Sequence, residues 1–134
     1  MPVIKASFKQ LSDIYLLAEG GYQPVEGFLS EKEVRQVAET MHLTSGEPWS
    51  IPIIFPVDDQ VAESLRGAES VQIEDESGPA AVLQIEEIFK LDKSHYARHI
   101  FRTEDAAHPG VGWLAEAGDY SIAGKIAVHP DWKF

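Results

Sequence analysis

The 134-residue sequence carries 22 acidic and 11 basic side chains, for a formal net charge of −11, and contains no cysteine. Nucleic-acid binding draws most of its affinity from Lys and Arg contacts to phosphates, so this charge disfavours a nucleic-acid partner. The missing cysteines exclude disulfides, thiolate metal sites and a cysteine nucleophile.

The length and composition predict one domain over residues 1–134, because 44% hydrophobic and 25% charged residues are typical of a globular chain. A secretory signal requires an apolar run of about 7–15 residues after a basic start. Lys5, Lys9 and Asp13 interrupt any such run, and no stretch approaches the roughly 18 apolar residues of a membrane span. We therefore expect a cytoplasmic location and no membrane partner.

The first predicted helix covers residues 31–41. Ser30 and Glu33 have the spacing of a capping box, in which each side chain binds a backbone N–H of the first turn. Apolar residues then recur at helical spacing along one face: Val34, Val37, Ala38 and Met41.

A strand is predicted over Ser50–Val57, where Pro52 and Pro56 favour an edge or strand-end position. Its alternating apolar residues are Ile51, Ile53, Phe55 and Val57.

A second, shorter helix is predicted from Asp58 or Asp59 to the glycine at Gly67. Its buried face contains Val61, Ala62 and Leu65.

Strand patterns dominate the second half of the chain. Ser70–Asp75 and Ala80–Phe89 flank a turn-rich link and predict a hairpin. Tyr96–Arg102 and Tyr120–Val128 are further predicted strands. Between these two lies the third predicted helix, residues 109–117, with Pro109 at its first position and Gly118 as its stop.

Many short strands with a few short helices between them favour an α+β, mainly β fold. No strand is followed by a glycine-rich phosphate turn, so a doubly wound nucleotide-binding fold is disfavoured.

The five histidines do not predict a catalytic or metal site. His95 and His99 have i, i+4 spacing, but in the predicted strand they would share a side without converging on an ion, and no third ligand is evident. His108, before Pro109, is predicted to cap or brace a turn. His42 would complement the dipole at the end of the first predicted helix, and His129 would be solvated.

Other catalytic patterns are equally weak. Neighbouring carboxylates such as Glu86 and Glu87 point to opposite faces of a strand, so they predict a solvated surface and not an acid–base pair. No serine stands in a Gly-x-Ser-x-Gly elbow, and no phosphate-binding loop is present. We assign no catalytic residue, no cofactor-binding residue and no metal ligand.

The tryptophans are candidates for an exposed docking surface. Trp49 is predicted to pack in the core at the start of its strand. Trp113 on the third helix and Trp132 near the C-terminus, together with His108, are the candidate partner-binding residues, although core packing is the favoured role for Trp113.

Four stretches, taken together and in order, resemble the N-terminal domain of sulfate adenylyltransferase (ATP sulfurylase). Gly21, Tyr22, Pro24, Gly27 and Phe28 match a Gly-x-Phe/Tyr-x-Pro-Leu-x-Gly-Phe signature, with Val25 in place of its leucine. The remaining matches are Met41–Ile54, Ala81–Lys93, and Thr103–Val111 followed by Ala123–Ile126.

The resemblance implies a PUA-like pseudo-barrel with a few short helices. It also implies a role in sulfate activation that is structural or partner-binding, because the family's catalytic motifs belong to a following domain and have no counterpart among these 134 residues. No enzymatic activity is expected of this chain alone. The expected partner is a sulfurylase-type catalytic domain or a second copy of the chain.

Two other functions remain open. A PUA-like RNA-binding module would require the folded chain to gather Lys90, Lys93, Arg98 and Arg102, which the sequence spreads out. A small-molecule or metal sensor would use His95, His99 or His108.

Overall fold

The computed structural model describes residues 1–134, and six strands form its one sheet. The strand order is β1-β4-β5-β6-β2, and β3 also pairs with β6. Only β1 and β4 are parallel. The strands are β1 (Val3–Lys5), β2 (Gly27–Phe28), β3 (Pro56–Val57), β4 (Ser70–Asp75), β5 (Gly78–Lys90) and β6 (Tyr120–Val128).

Five helices and one π-helical turn surround the sheet. The longest helix has 12 residues, and none combines the length and apolar character needed to cross a bilayer. The helices are α1 (Phe8–Glu19), α2 (Glu31–Thr40), α3 (Asp59–Ser64), α4 (Lys93–Tyr96) and α5 (Pro109–Glu116), and the π-helical turn is Ala97–Phe101.

The predicted α+β class is confirmed, and the sheet remains open. The hairpin and the last strand form where the alternating pattern predicts them, because β4 and β5 pair across the Glu76–Ser77 turn and β6 lies beside β5. Buried hydrophobic side chains from the sheet and the helices form one connected core. Its fully buried members include Ile14, Phe55, Leu65, Ile73, Leu83, Leu114 and Ile122.

The helix predicted after Ser30 is confirmed as α2, but only half of its capping box forms. The Ser30 hydroxyl accepts a hydrogen bond from the Glu33 N–H at 3.3 Å. The Glu33 carboxylate accepts from the Thr44 N–H at 2.7 Å instead of returning to Ser30. The side chain that could close the cap therefore holds the loop after the helix.

The second and third predicted helices are also confirmed, as α3 and α5. Asp58 caps α3 by accepting from the Val61 N–H at 2.8 Å. Gly118 does not stop α5, because the helix ends at Glu116 and Ala117 is its extended cap residue. Glycine is required at 118 for a close approach, since a Cβ there would lie 2.2 Å from the Val57 carbonyl oxygen.

The strand predicted over Ser50–Val57 is wrong for most of its length, since only Pro56–Val57 joins the sheet. The backbone hydrogen bonds of this segment do not form a regular ladder. The Ile53 carbonyl accepts from the Leu29 N–H, and the Phe55 N–H donates to the Ser121 hydroxyl at 3.0 Å. Prolines lack the N–H that a regular ladder needs. Ile51 is 55% exposed, so it does not join the buried face predicted for it.

The strand predicted over Tyr96–Arg102 is wrong, because this segment forms α4 and the π-helical turn. Asp92 caps α4 by accepting from the His95 N–H at 3.1 Å. Arg102 ends the helical segment in the left-handed region at φ 62°. A local cap and the burial of Tyr96 and Ala97 therefore override the β propensity of the aromatic and branched side chains.

Candidate functional site

Helix α1 forms the wall of the largest concave surface in the molecule. Ser7 and Gln10 cap its first turn reciprocally, with bonds of 3.2 and 2.9 Å between the side chain of each and the backbone N–H of the other. Gly20 ends the helix in the left-handed region at φ 80°. Ile14 and Leu17 face the core, which leaves Lys9 and Asp13, one turn apart, beside the groove.

Asp13 is a buried carboxylate, with only 7% of its side chain exposed. The Tyr22 hydroxyl donates to Oδ1 at 2.7 Å, and Lys9 Nζ lies 3.3 Å from Oδ2. A buried charge is tolerated only when it is paired and hydrogen-bonded. Burial, the hydrogen bond to Asp13 and the Asp13 charge all raise the pKa of Tyr22, so its phenol remains a donor throughout the physiological range.

Two tryptophans flank this carboxylate. Lys9 Nζ lies 5.0 Å from the centroid of the Trp113 ring, within cation–π range. Trp49 packs edge-to-face with Tyr22, with 6.0 Å between ring centroids, and its indole N–H donates to the Ile51 carbonyl at 2.7 Å. Both indoles are held by neighbours and are half-buried.

Two cavities meet at Lys9 and Asp13, and we call them together the α1 groove. The larger has a volume of about 680 Å³, and Tyr22, Met41, His42, Trp49 and Ile51 contribute to its lining. The smaller, of about 360 Å³, is lined by Lys5, Gln10, Pro56, Trp113, Glu116 and Gly118, among others. An aromatic and aliphatic surface with one buried charge at its centre is suited to binding, since such groups give area and orientation.

The candidate partner-binding residues are divided between two places. Trp113 lies in the α1 groove, whereas Trp132 donates from its indole N–H to Asp75 Oδ2 at 2.8 Å. His108 caps α5, because its Nδ1 accepts from the Gly110 N–H at 3.0 Å. The structure therefore does not join these three residues into one surface.

Trp132 belongs to a separate cluster on the other flank of α1. The Phe134 ring lies 5.4 Å from that of Phe8, 5.5 Å from that of Tyr15 and 5.7 Å from that of Trp132. Phe8 and Phe134 are 76% and 53% exposed. This C-terminal aromatic cluster is a second apolar patch beside the helix.

His95 and His99 lie on one helical face, with their rings 4.2 Å apart. His95 Nε2 lies 2.8 Å from Glu39 Oε2, which links α4 to α2. No group of three or more His, Cys, Asp or Glu side chains is arranged to hold a metal ion. His42 Nδ1 contacts the Thr40 carbonyl at 2.7 Å, at the C-terminal end of α2, where the sequence places it.

Two of the four basic side chains that a nucleic acid would require, Lys93 and Arg98, face carboxylates of the chain itself. Lys93 Nζ lies 2.9 Å from Asp119 Oδ1, and this contact lowers the pKa of Asp119. Arg98 lies 4.0 Å from Glu104. Ion pairs of this kind reduce the positive potential that a phosphate backbone would meet.

Residue spacing within single segments of the sequence does not predict the α1 groove. Lys9 and Asp13 have the i, i+4 spacing of an ion pair, which was a usable signal. Tyr22, Trp49 and Trp113 reach the site from distant parts of the chain, and only the fold brings them there.

Comparison with known proteins agrees with the open, strand-rich fold. The family model of the PUA-like domain matches residues 1–131. The chain belongs to the PUA-like domain family.

The chain is similar to the N-terminal domain of bacterial sulfate adenylyltransferases. It is 39% identical over 128 residues to the sulfate adenylyltransferase of Chloroflexus aurantiacus and 37% identical over 127 residues to that of Deinococcus radiodurans. These matches cover 96% and 95% of this chain but only 33% and 32% of the two relatives. The chain thus spans about a third of their length.

A solved structure shares the fold. The hexameric APS kinase from Thiobacillus denitrificans aligns over 98% of this chain and 23% of its own, with a TM-score of 0.68 at 20% sequence identity.

Proposed function

We propose that this chain is a non-catalytic domain that binds a sulfurylase-type catalytic domain through the α1 groove. The observation that carries the proposal is the groove itself. Its larger cavity exposes 49% of Met41 and 55% of Ile51 beside two half-buried aromatic rings. Exposed apolar side chains around a preformed concave surface are typical of protein docking sites.

The extent of the similarity supports the same proposal. The chain corresponds to one third of the relatives, whose name describes adenylyl transfer to sulfate. That chemistry depends on groups positioned around phosphates. The α1 groove offers one buried carboxylate already held by Tyr22 and Lys9, an arrangement that suits recognition better than phosphate chemistry.

The first test measures activity and binding separately. Pyrophosphate release from ATP and sulfate by the purified chain should not exceed the rate in buffer, and a measurable turnover would contradict the non-catalytic assignment. Sedimentation velocity of the chain mixed with the remaining two-thirds of the Chloroflexus aurantiacus relative, checked for folding by circular dichroism, should show a complex. Two components that sediment independently would refute the docking.

A matched pair of variants locates the surface. Ile51→Lys places a charge in the groove and should weaken binding by about tenfold or more, as expected for an apolar interface position. Val3→Lys changes a residue that is 53% exposed and does not line the groove, and it should change the affinity by less than about twofold. Equal effects of the two substitutions would place the interface elsewhere, and the C-terminal aromatic cluster with self-association would then be the better candidate.

A further inference from the structure

We infer that the smaller cavity of the α1 groove is a receptor for an arginine side chain of the partner, an inference that rests on the proposed function and specifies its chemistry. The cavity has a carboxylate at its base, an indole as one wall and a second carboxylate at its rim. These groups are Asp13, Trp113 and Glu116, and the charge of Lys5 on the same lining is paired with Glu76 at 3.1 Å.

The resident side chain Lys9 demonstrates what the site accepts. Its ammonium group lies both 3.3 Å from Asp13 Oδ2 and 5.0 Å from the Trp113 centroid. A cation thus already occupies the position between a carboxylate and an aromatic face. Lys9 belongs to the chain itself, however, and 53% of its side chain is exposed.

Exchange of this lysine for an arginine from outside is physically favourable. The Lys9 ammonium is on the half-exposed side of the pair and can return to water, and the incoming guanidinium keeps the buried Asp13 carboxylate paired. A guanidinium is planar, can stack on the Trp113 face and can donate two hydrogen bonds to one carboxylate, which an ammonium cannot do. Glu116 forms no ion pair within the chain and is exposed at the rim, so it can receive the remaining donors.

The overall charge favours the same class of partner. A chain of net charge −11 attracts basic segments and accelerates their encounter. The single buried carboxylate then supplies the position at which such a segment is recognised.

The test uses N-acetyl-arginine amide as the probe and the three indole N–H signals in a two-dimensional NMR titration. In the Lys9→Ala variant the Trp113 signal should shift, with an affinity about tenfold higher than in the unmodified chain because the competing ammonium is gone. Trp132, bonded to Asp75 outside the groove, should not move. No Trp113 shift in Lys9→Ala, or an equal shift with the uncharged citrulline analogue, would overturn the inference.

Two further variants test whether the two carboxylates contribute to arginine binding. Asp13→Asn should abolish the shift, and Glu116→Gln, at an exposed position where folding is not at risk, should weaken the affinity by about threefold. Glu63→Gln is the matched control, since it removes the same charge from an exposed pair with Arg66. If Glu116→Gln and Glu63→Gln behave alike in the Lys9→Ala background, the rim has no part in recognition and the site is wrong.

The outcome is separable from the proposed function. A chain that binds the sulfurylase fragment equally well with and without Glu116→Gln and Lys9→Ala would retain its docking role and lose the arginine receptor. A chain that binds the arginine probe at Trp113 but not the fragment would show the reverse.

Discussion

Replacing Tyr22 by phenylalanine removes one hydroxyl and leaves one oxygen of a buried carboxylate without its donor. The lost bond is 2.7 Å long, and its acceptor Asp13 has only 7% of its side chain exposed. Hydrogen bonds to charged groups contribute about 1.5–3 kcal/mol. Because Tyr22 itself is only half-buried, we expect the free energy of unfolding to fall by about 2 kcal/mol.

The same loss of free energy can be expressed as a change in melting temperature. An unfolding entropy of about 2.1 cal/mol/K per residue is about 0.28 kcal/mol/K for 134 residues, so 2 kcal/mol corresponds to a melting temperature about 7 °C lower. Urea denaturation at pH 7 measures the free energy directly. Tyr15→Phe is the control: its ring stacks on Phe134 and is 41% exposed, so its loss of a hydroxyl should cost less than about 0.5 kcal/mol.

The pH dependence shows whether the Tyr22 phenol must be protonated to contribute this stability, because burial, the hydrogen bond to Asp13 and the Asp13 charge all disfavour its ionised form. The pKa of Tyr22 is raised in the folded chain, so the phenol is protonated there while the unfolded chain ionises near pH 10. The stability that Tyr22 contributes is complete below about pH 10 and is lost as the pH rises above it. The difference between the unmodified chain and Tyr22→Phe should therefore shrink by about 1.4 kcal/mol per pH unit.

Burial and the Asp13 charge also raise the pKa of Tyr96, but Tyr96 is present in both proteins and cancels in the comparison. Urea midpoints that coincide at pH 7, or a difference that stays constant up to pH 11, would refute this reasoning.

Three other substitutions test individual contacts of the fold. Ser121→Ala leaves a buried backbone N–H without its acceptor, so urea denaturation should give a loss of about 1–3 kcal/mol. Asp75→Ala should free the Trp132 indole and change its fluorescence at neutral pH. Because hydrogen bonds from Ser77 and Trp132 lower the pKa of Asp75, the unmodified chain should show that change only below about pH 4. Gly118→Ala forces a Cβ against backbone and should lower the free energy of unfolding by about 3 kcal/mol or more.

Two of these substitutions have a matched control. Ser94→Ala removes an exposed hydroxyl that binds Glu104, and a loss as large as that of Ser121→Ala would mean that burial does not set the cost. Gly46→Ala meets open space at φ 94° and should cost only about 1 kcal/mol, so an equal loss at position 118 would contradict the steric argument. A Trp132 fluorescence signal that is insensitive to Asp75→Ala would contradict the hydrogen bond between the Trp132 indole and Asp75.

The elements that could be predicted from the sequence are those with complete local signals. Helix α2 has a cap and an apolar face within ten residues, and the β4–β5 hairpin has alternation on both sides of its turn. At Tyr96–Arg102 two local signals conflict, and the cap at Asp92 determines the structure. Helix α1 went unpredicted although Ser7, Gln10 and Gly20 mark both of its ends.

The α1 groove, unlike these helices and strands, is formed by residues from separate parts of the chain. Its carboxylate and its lysine are four residues apart, but Tyr22 comes from the turn after α1, Trp49 from an irregular segment and Trp113 from α5. No periodicity within one segment predicts that these side chains lie close together. Trp113 and Trp132 are candidates because tryptophan is a common anchor of docking surfaces. The fold places only Trp113 at the groove.

Two glycines, Gly27 on β2 and Gly124 on β6, bear on how this family is recognised. A Cβ at Gly27 would lie 2.2 Å from the Gly124 carbonyl oxygen, and one at Gly124 would lie 1.8 Å from that of Gln84. Both glycines, with the buried Phe28, belong to the short motifs by which the chain resembles sulfate adenylyltransferases. These two glycines therefore let the backbones of β2, β6 and β5 lie in close contact. A homologue could retain Gly27, Phe28 and Gly124 and still have exchanged its binding specificity, because none of these three residues lines the α1 groove.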